Sequence, residues 1–172
     1  MAFKVREIFT ALDKARARYV VVGGLAVILH GYVRGTHDLD LVIDLEPVNC
    51  AKALKALETI GLRPRLPVSM QDFADPEKRR DWHDNRHMQV FQLWDPRNEQ
   101  RCIDIFVHEP VKFDDLWRDS IIKDYDGVPI RIAGIPHLIT MKKQANRPRD
   151  HEDIAKLEEI QKAGMGLDPK LK

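Results

Sequence analysis

The sequence predicts an α/β (α+β) fold in which helices flank a mixed β-sheet. Apolar β-runs alternate with helical segments, a hairpin pattern is centred on Asp126-Gly127, and the last part of the chain has the periodicity of two helices. Because 172 residues provide for one well-filled core, we expect a single domain over residues 1–172. Its core would span about 1–134 and its C-terminal helices about 135–165.

Hydrophobic periodicity and turn residues predict the elements of the first half of the chain. These are helices over residues 4–17, 25–31 and 47–60, and strands over residues 19–22 and 39–43. Pro47 is suited to the first turn of the third helix, and Gly61 to the position after its end. Gly23 and Gly24 form the turn between the first strand and the second helix.

The second half of the chain begins with a polar segment, residues 64–86, which is compatible with a helix with frayed ends or with a lid loop. The elements predicted after it are strands over residues 88–93 and 102–107, a short helix over 113–119, a hairpin over 121–132, and helices over 135–145 and from about 150 to about 163. Helices, strands and a hairpin in this order favour helices packed on a mixed sheet.

Composition excludes several classes of protein. The net charge of +1 provides no global basic field for nucleic acid, so any such contact needs a local patch. No apolar run approaches the ~20 residues that span a bilayer, and the first residues are too charged for a signal peptide. We therefore expect a cytoplasmic protein without a membrane partner, in which Cys50 and Cys102 are buried free thiols.

Two carboxylates one residue apart are the most informative feature of the chain. Asp38 and Asp40 enter an apolar β-run, and alternation along a strand directs both side chains to the same face. Like charges held side by side repel, and a metal ion usually compensates them. Before them, Gly23-Gly24 allows a phosphate to approach the backbone without a Cβ clash, and the helix that follows has free N–H groups.

The ordered pairs Gly23-Gly24, His30-Gly31, Arg34-x-Thr36 and Asp38-x-Asp40 resemble the nucleotidyltransferase superfamily. The resemblance is to small bacterial members, which include the minimal nucleotidyltransferases and the AbiEii-type toxins. It implies a nucleotidyltransferase-type mixed sheet and a Mg²⁺-dependent enzyme. That enzyme would transfer a nucleoside monophosphate from a nucleoside triphosphate to a hydroxyl on tRNA, protein or a small molecule.

The resemblance also implies a third carboxylate on a later strand, and Asp104 is our candidate. It interrupts the apolar run Ile103–Val107, where an unpaired charge would be costly to bury. Its alternative role is a solvent-facing residue on a one-sided strand. Asp38, Asp40 and Asp104 are thus the expected catalytic and metal-binding residues, and they suit two Mg²⁺ ions that clamp the attacking and leaving oxygens.

Nucleotide contacts are expected from Gly23, Gly24, Arg34 and Thr36. Arg34 either touches the nucleotide or neutralises the acidic cluster. A lysine on the penultimate helix is expected to reach the triphosphate, and Lys143 is preferred over Lys142 because it shares a helix face with Arg147. The alternative is that these lysines are solvated surface charges.

The Arg-x-x-Asp-x-x-Asp pattern that leads into the last helix gives further expectations. Asp150 would cap that helix, and Asp153 would pair with Arg147 or Arg149. His30 is expected to be a packed, hydrogen-bonded histidine rather than a base.

Other polar residues have weaker functional interpretations. Asp44 is expected to be structural. Zinc binding by His83 and His87 is disfavoured because no cysteine or suitably spaced Glu accompanies them. Trp82, Arg86 and Trp94 in the same region could instead stack an acceptor or a base, although a lid or a plain surface helix is favoured.

Two wider hypotheses remain open. Toxin–antitoxin relatives imply that a partner chain encoded nearby supplies recognition of the acceptor. Alternatively, the fold serves as a non-catalytic binding or regulatory module, although a dormant copy is free to lose its aspartates, and Asp38, Asp40 and Asp104 are all present.

Overall fold

The computed structural model describes residues 5–165. Its helices are α1 (Val5–Lys14), α2 (Gly23–Leu29), α3 (Pro47–Thr59), α4 (Pro76–Asp84), α5 (Phe113–Arg118), α6 (Ile135–Ala145) and α7 (Pro148–Met165), with a 3₁₀ helix over Met70–Ala74. Its strands are β1 (Tyr19–Val22), β2 (Leu39–Ile43), β3 (Arg63–Pro64), β4 (Val90–Asp95), β5 (Asn98–Phe106), β6 (Ile121–Tyr125) and β7 (Val128–Ile132).

The strands form one mixed sheet in the order β3-β4-β5-β2-β1-β7-β6. β2 is antiparallel to β1 and parallel to β5, β1 is parallel to β7, and the remaining pairs are antiparallel. The mixed α/β fold predicted from the sequence is therefore confirmed. The ends of the predicted single domain, residues 1–4 and 166–172, lie outside the described residues.

The core lies against the centre of the sheet. All four residues of β1 are buried, which requires cover on both faces of the sheet. The apolar face of α1 supplies part of this cover: Phe9 stacks on Tyr19 with ring centroids 6.1 Å apart. Helices α6 and α7 pack on each other at the C-terminal end, as the predicted helical pair requires.

The predicted elements match the structure best where apolar patterns are strong. β1, β2 and α6 have the predicted bounds, and the hairpin turns at Asp126-Gly127. The last helix, however, starts at Pro148, before the predicted start near Asp150. The strand predicted over 102–107 starts earlier, at Asn98, because it pairs with β4 through a tight turn.

The polar segment 64–86 folds against the core rather than forming a loop. It contains the 3₁₀ helix and α4, and its buried residues are Met70, Phe73, Arg79 and Trp82. Trp82 stacks on Phe91 with centroids 5.4 Å apart, so it is a core residue and is not available to stack a base. The buried Arg79 guanidinium donates to the carbonyl oxygens of Phe73 and Leu45.

Cys50 and Cys102 are both buried and free, as predicted. Burial raises the pKa of the Cys50 thiol to about 11, which makes it a poor nucleophile at neutral pH. Within residues 5–165, no helix is both long and apolar enough to cross a bilayer.

Candidate active site

Sheet register brings the predicted carboxylates to one place. Asp40 on β2 and Asp104 on β5 are direct partners in the parallel pairing, so their Cα atoms lie on neighbouring strands about 4.8 Å apart. Asp38 lies two residues before Asp40, just outside β2, and is exposed. The Thr36 hydroxyl donates to the Asp38 carbonyl oxygen at 3.3 Å and helps to fix this approach to the strand.

The environment of Asp40 and Asp104 disfavours the charged form of these two carboxyl groups. Burial, together with the charges of Asp104 and Asp38, raises the pKa of Asp40 to about 7. Burial and the Asp38 charge also raise the pKa of Asp104, although the Gln92 side chain donates to its Oδ1 at 2.9 Å and opposes the shift. A cation placed among the three groups would stabilise their ionised forms.

The donor set fits a hard divalent cation in its chemistry, because all three groups supply carboxylate oxygens. Within the described part of the chain, however, no three histidine, cysteine or carboxylate side chains converge closely enough to hold one metal ion. Asp38, Asp40 and Asp104 therefore surround a shared space without closing on a single point. The histidine pair of the zinc alternative likewise belongs to no such group: His83 instead packs against His108, with ring centroids 4.3 Å apart.

Both glycines of the predicted turn allow side chains to approach closely. Helix α2 begins at Gly23, directly after β1, and this residue has φ +64°. A Cβ on Gly23 would lie 2.0 Å from Asp40 Oδ2, and one on Gly24 would lie 2.5 Å from Thr36 Oγ1. Real Cβ atoms do not approach this closely, so both positions require glycine for Asp40 and Thr36 to keep their places.

A cluster of paired charges faces the same cleft and is referred to below as the paired cluster (Arg34, Lys142, Asp150 and Asp153). Asp153 is 1% exposed, and its Oδ2 accepts from Lys142 Nζ at 2.6 Å and from Arg34 Nη2 at 2.9 Å. Asp150 accepts from Lys142 Nζ at 3.3 Å. Two cations and two carboxylates thus compensate one another. Within residues 5–165, Arg34 Nε and Asp153 Oδ1 are nevertheless buried without a hydrogen bond.

The structure revises the expected lysine. Lys142 is buried and lines the cleft, whereas Lys143 is exposed and is not among the lining residues. The helix-face argument that favoured Lys143 failed because the C-terminal end of α6 directs Lys142, rather than its neighbour, toward α7. The sequence predicted that Asp153 pairs with Arg147 or Arg149. It pairs instead with Lys142 and Arg34.

Other polar residues match their predicted structural roles. The ring of His30 is hydrogen-bonded to the Ala133 carbonyl oxygen at 2.8 Å, and burial lowers its pKa. Asp44 forms an ion pair with Arg18 at 2.7 Å. Asp150 accepts from the Arg147 backbone N–H at 2.9 Å, so it contributes to the cap at the start of α7.

One cleft is lined by the three carboxylates, the glycine turn and most of the paired cluster. Its volume of about 680 Å³ is within the usual size range of small-molecule sites. Its lining includes Gly23, Gly24, Arg34, Thr36, Asp38, Asp40, Asp104 and Lys142, and also Gln89, Val90, Phe106, His108, Pro110, Arg147, Arg149 and Asp150. All of the site residues predicted from the sequence except Lys143 therefore lie at this cleft. Sequence reasoning missed the wall formed by Gln89, Val90, Phe106, His108 and Pro110, since no motif marks it.

A mixed sheet with carboxylates on two neighbouring strands, facing a glycine turn, defines the fold as that of a nucleotidyltransferase. The chain belongs to the family described as nucleotidyltransferase of unknown function (DUF6036), whose model matches residues 3–167. It is accordingly a transferase of the nucleotidyl class. No curated protein matches the sequence significantly.

Solved structures share the fold at low sequence identity. The lincosamide antibiotic adenylyltransferase LnuA, solved with lincomycin, is 19% identical with a TM-score of 0.56, over 90% of this chain and 96% of that one. ANT(2")-Ia, solved with adenylyl-2"-tobramycin, is 14% identical with a TM-score of 0.57, over 91% and 90%. An antigenic nucleotidyltransferase-like protein from Paracoccidioides brasiliensis is 17% identical with a TM-score of 0.52, over 90% and 74%.

Proposed function

We propose that the protein catalyses Mg²⁺-dependent transfer of a nucleoside monophosphate from a nucleoside triphosphate to the hydroxyl of an acceptor. The observation that carries the proposal is the register between β2 and β5, which sets Asp40 beside Asp104 at the cleft, with Asp38 close by. Asp40 and Asp104 are partly desolvated while Asp38 is exposed, and among the described residues no salt bridge joins any of the three to a cation as in the paired cluster. They are therefore suited to holding divalent cations.

The reaction would use the chain's own groups in three roles. Asp38, Asp40 and Asp104 would hold Mg²⁺, which supplies charge stabilisation for the attacking and leaving oxygens. Arg34 and Lys142, fixed by Asp153, would hold the β- and γ-phosphates, while Gly23 and Gly24 let the Asp40 and Thr36 side chains pack against the backbone beside them.

Asp104 would take the acceptor's proton in the chemical step. The hydroxyl oxygen bonds to the α-phosphorus, the bond from that phosphorus to the pyrophosphate oxygen breaks, and the hydroxyl proton passes to the Asp104 carboxylate.

The acceptor is proposed to be a small hydroxyl compound in the first instance. Two solved proteins of the same fold and nearly the same length were determined with lincomycin and with adenylyl-2"-tobramycin bound. Transfer to tRNA or protein, and action as a toxin completed by a partner chain, are the alternatives. The remaining alternative is that the protein is a non-catalytic binding module. Measuring nucleotide binding and turnover together distinguishes such a module from an enzyme.

The first test measures nucleotide binding and turnover on wild type and the Asp38→Asn/Asp40→Asn double variant. Each of the four Mg²⁺-nucleoside triphosphates is titrated by calorimetry and thermal unfolding. A nucleotide at about 100 times its Kd should stabilise the wild type by about 2.7 kcal/mol. Pyrophosphate release should fall at least about 10³-fold in the double variant. Asp126→Asn, an exposed change in the hairpin, is the matched control.

Full pyrophosphate release by the double variant would contradict the proposal. Metal-dependent nucleotide binding without any release, for every acceptor class, would favour the non-catalytic module instead.

A second test separates the two adjacent lysines. Lys142→Ala removes a cation that lines the cleft, whereas Lys143→Ala removes an exposed one outside it. We expect Lys142→Ala to weaken Mg²⁺-nucleotide binding by about 10- to 100-fold, as loss of a charge-assisted contact of about 1.5–3 kcal/mol implies. Lys143→Ala should change it by less than about twofold. Equal effects from the two variants would remove Lys142 from the phosphate site.

A further inference from the structure

The cleft has two chemically different halves on either side of Asp40 and Asp104. One half, formed by the start of α2, the loop before β2 and the α6–α7 junction, has four basic lining residues: Arg34, Lys142, Arg147 and Arg149. The other half lies over β4 and β5. Its lining consists of Gln89, Val90, Phe106, His108 and Pro110, so its side chains carry no formal charge apart from Asp104 at the boundary.

Strand register explains how the uncharged wall is built. Val90 pairs with Phe106, and Gln92 pairs with Asp104, so these four side chains share one face of the β4–β5 ribbon. The alternate residues Phe91 and Ile105 are buried on the opposite face. Apolar and amide groups therefore extend directly from Asp104 along the ribbon.

The far end of this wall is fixed by contacts outside the sheet. The Gln144 side chain on α6 donates to the Pro110 carbonyl oxygen at 3.2 Å. The ring of His108 packs against Phe106, with centroids 5.9 Å apart, and against His83. Burial, and then the neighbouring His83, lower the pKa of His108, which favours its uncharged form.

Geometry of the proposed transfer decides which half receives the acceptor. In phosphoryl transfer the attacking and leaving oxygens lie roughly in line on opposite sides of the phosphorus. The leaving pyrophosphate is attracted to the basic half, beside Arg34 and Lys142. The attacking hydroxyl must therefore approach from the opposite side, across Asp104 and over β4–β5.

We infer that the acceptor is an uncharged or weakly charged hydroxyl compound with an apolar or ring portion, bound against Val90, Phe106, Gln89 and Pro110. The inference rests on the proposed function and specifies its substrate class. A polycationic acceptor would need carboxylates along this wall, and none of its described residues supplies one beyond Asp104. A polyanion such as tRNA would need cations along this wall, and none of its five residues supplies one; the lining cation Arg147 lies at the boundary, where its charge acts on Asp104.

The experiment follows the Val90 methyl groups by NMR, in protein saturated with a Mg²⁺-bound non-hydrolysable analogue of the preferred nucleotide. Three probes are titrated: phenyl β-glucoside as a neutral ring-bearing hydroxyl compound, tobramycin as a polycation, and bulk tRNA as a polyanion. We expect phenyl β-glucoside alone to shift the Val90 signals in a saturable way. Phe106→Ala should weaken that binding about tenfold while nucleotide affinity changes by less than twofold. Ile122→Ala, an exposed change on β6 at the other edge of the sheet, is the control.

A gain-of-function variant covers the case in which Phe106→Ala does not fold. Gln89→Glu introduces a carboxylate into the wall, keeps the Val90 methyl groups as the reporter, and should reverse the preference between phenyl β-glucoside and tobramycin.

Three results would overturn the inference: tighter binding of tobramycin or tRNA by the wild type, absence of a Val90 shift with phenyl β-glucoside, or a Val90 shift caused by the nucleotide base itself. Nucleotide binding is measured in the same samples. If the Mg²⁺-nucleotide fails to bind wild type, the proposed function fails; if it binds and only the glucoside does not, the acceptor inference alone fails.

Discussion

Two groups of charged side chains face the same cleft and differ in how their charges are compensated. In the paired cluster, each buried carboxylate accepts from Lys142, and Arg34 completes the set. In the acidic group, burial and the charges of Asp104 and Asp38 raise the pKa of Asp40 to about 7, and the charges of Arg147 and Lys142 only partly oppose this rise. Charges that are compensated within the protein hold their side chains in fixed positions, whereas those left uncompensated indicate where a ligand of opposite charge belongs.

The two groups are connected through the glycine pair Gly23-Gly24. Arg34 reaches from the paired cluster toward Gly24, where its Nη2 would lie 3.0 Å from an added Cβ. Gly23, the preceding residue, contacts the Asp40 carboxylate. The glycine pair thus lies between the two groups.

The largest expected effect comes from breaking the compensation. Asp153→Ala removes the carboxylate that Lys142 and Arg34 share, so that Asp150 remains as a partner of Lys142 alone. Loss of one partner of a buried ion pair costs about 3–5 kcal/mol. Urea unfolding at pH 7 should show this loss. Glu158→Ala, exposed on the same helix, should change the free energy of unfolding by less than about 0.5 kcal/mol. A similarly small loss for Asp153→Ala would mean that the cluster contributes little to stability.

A second prediction tests the glycine pair that joins the two groups. Gly23→Ala must hold a Cβ at φ +64° and displace Asp40, so we expect a loss of about 2–3 kcal/mol together with weaker nucleotide binding. Gly35→Ala is the matched control, because a Cβ there meets nothing within 4 Å. Thermal unfolding and calorimetry on both variants provide the comparison. Equal stability of the two would show that Asp40 moves aside without cost.

The sequence contained enough information to predict the sheet and most of the cleft. β1 and β2 are short and apolar, and their neighbours Gly23-Gly24 and Asp38-x-Asp40 are adjacent in sequence, so local patterns were sufficient. Asp104 was predictable for a similar reason, since a carboxylate within an apolar strand needs a special explanation.

What sequence patterns did not predict depends on contacts between distant residues. The partners of Asp153 are 119 and 11 residues away, in Arg34 and Lys142, and no spacing rule selects Lys142 over Lys143. The polar composition of residues 64–86 concealed buried Trp82 and Arg79, whose burial depends on stacking with Phe91 and on backbone acceptors. The uncharged wall depends on β4–β5 register, which is likewise a tertiary property.

The smallest expected effect concerns the acidic group, and its sign is opposite to that at Asp153. The folded-state pKa of Asp40, about 7, exceeds its ordinary value of 3.8. Between these values the folded protein binds more protons than the unfolded chain, so stability falls as pH rises through this window. Asp40→Asn removes the titrating group. It should therefore be more stable than wild type at pH 8 in EDTA and nearly equal to it at pH 4.

This pKa shift of Asp40 corresponds to a difference of at most about 4 kcal/mol in the free energy of unfolding, at about 1.4 kcal/mol per pKa unit. Relaxation of the carboxylates should reduce the difference to about 2 kcal/mol. Urea unfolding in EDTA at pH 4, 6 and 8 measures the difference, with Asp126→Asn as an exposed control. A less stable Asp40→Asn at pH 8 would show that the Asp40 carboxylate is held by favourable contacts. Repeating the series with saturating Mg²⁺ should reverse the order at pH 8, because only the wild type gains from binding a cation at Asp40.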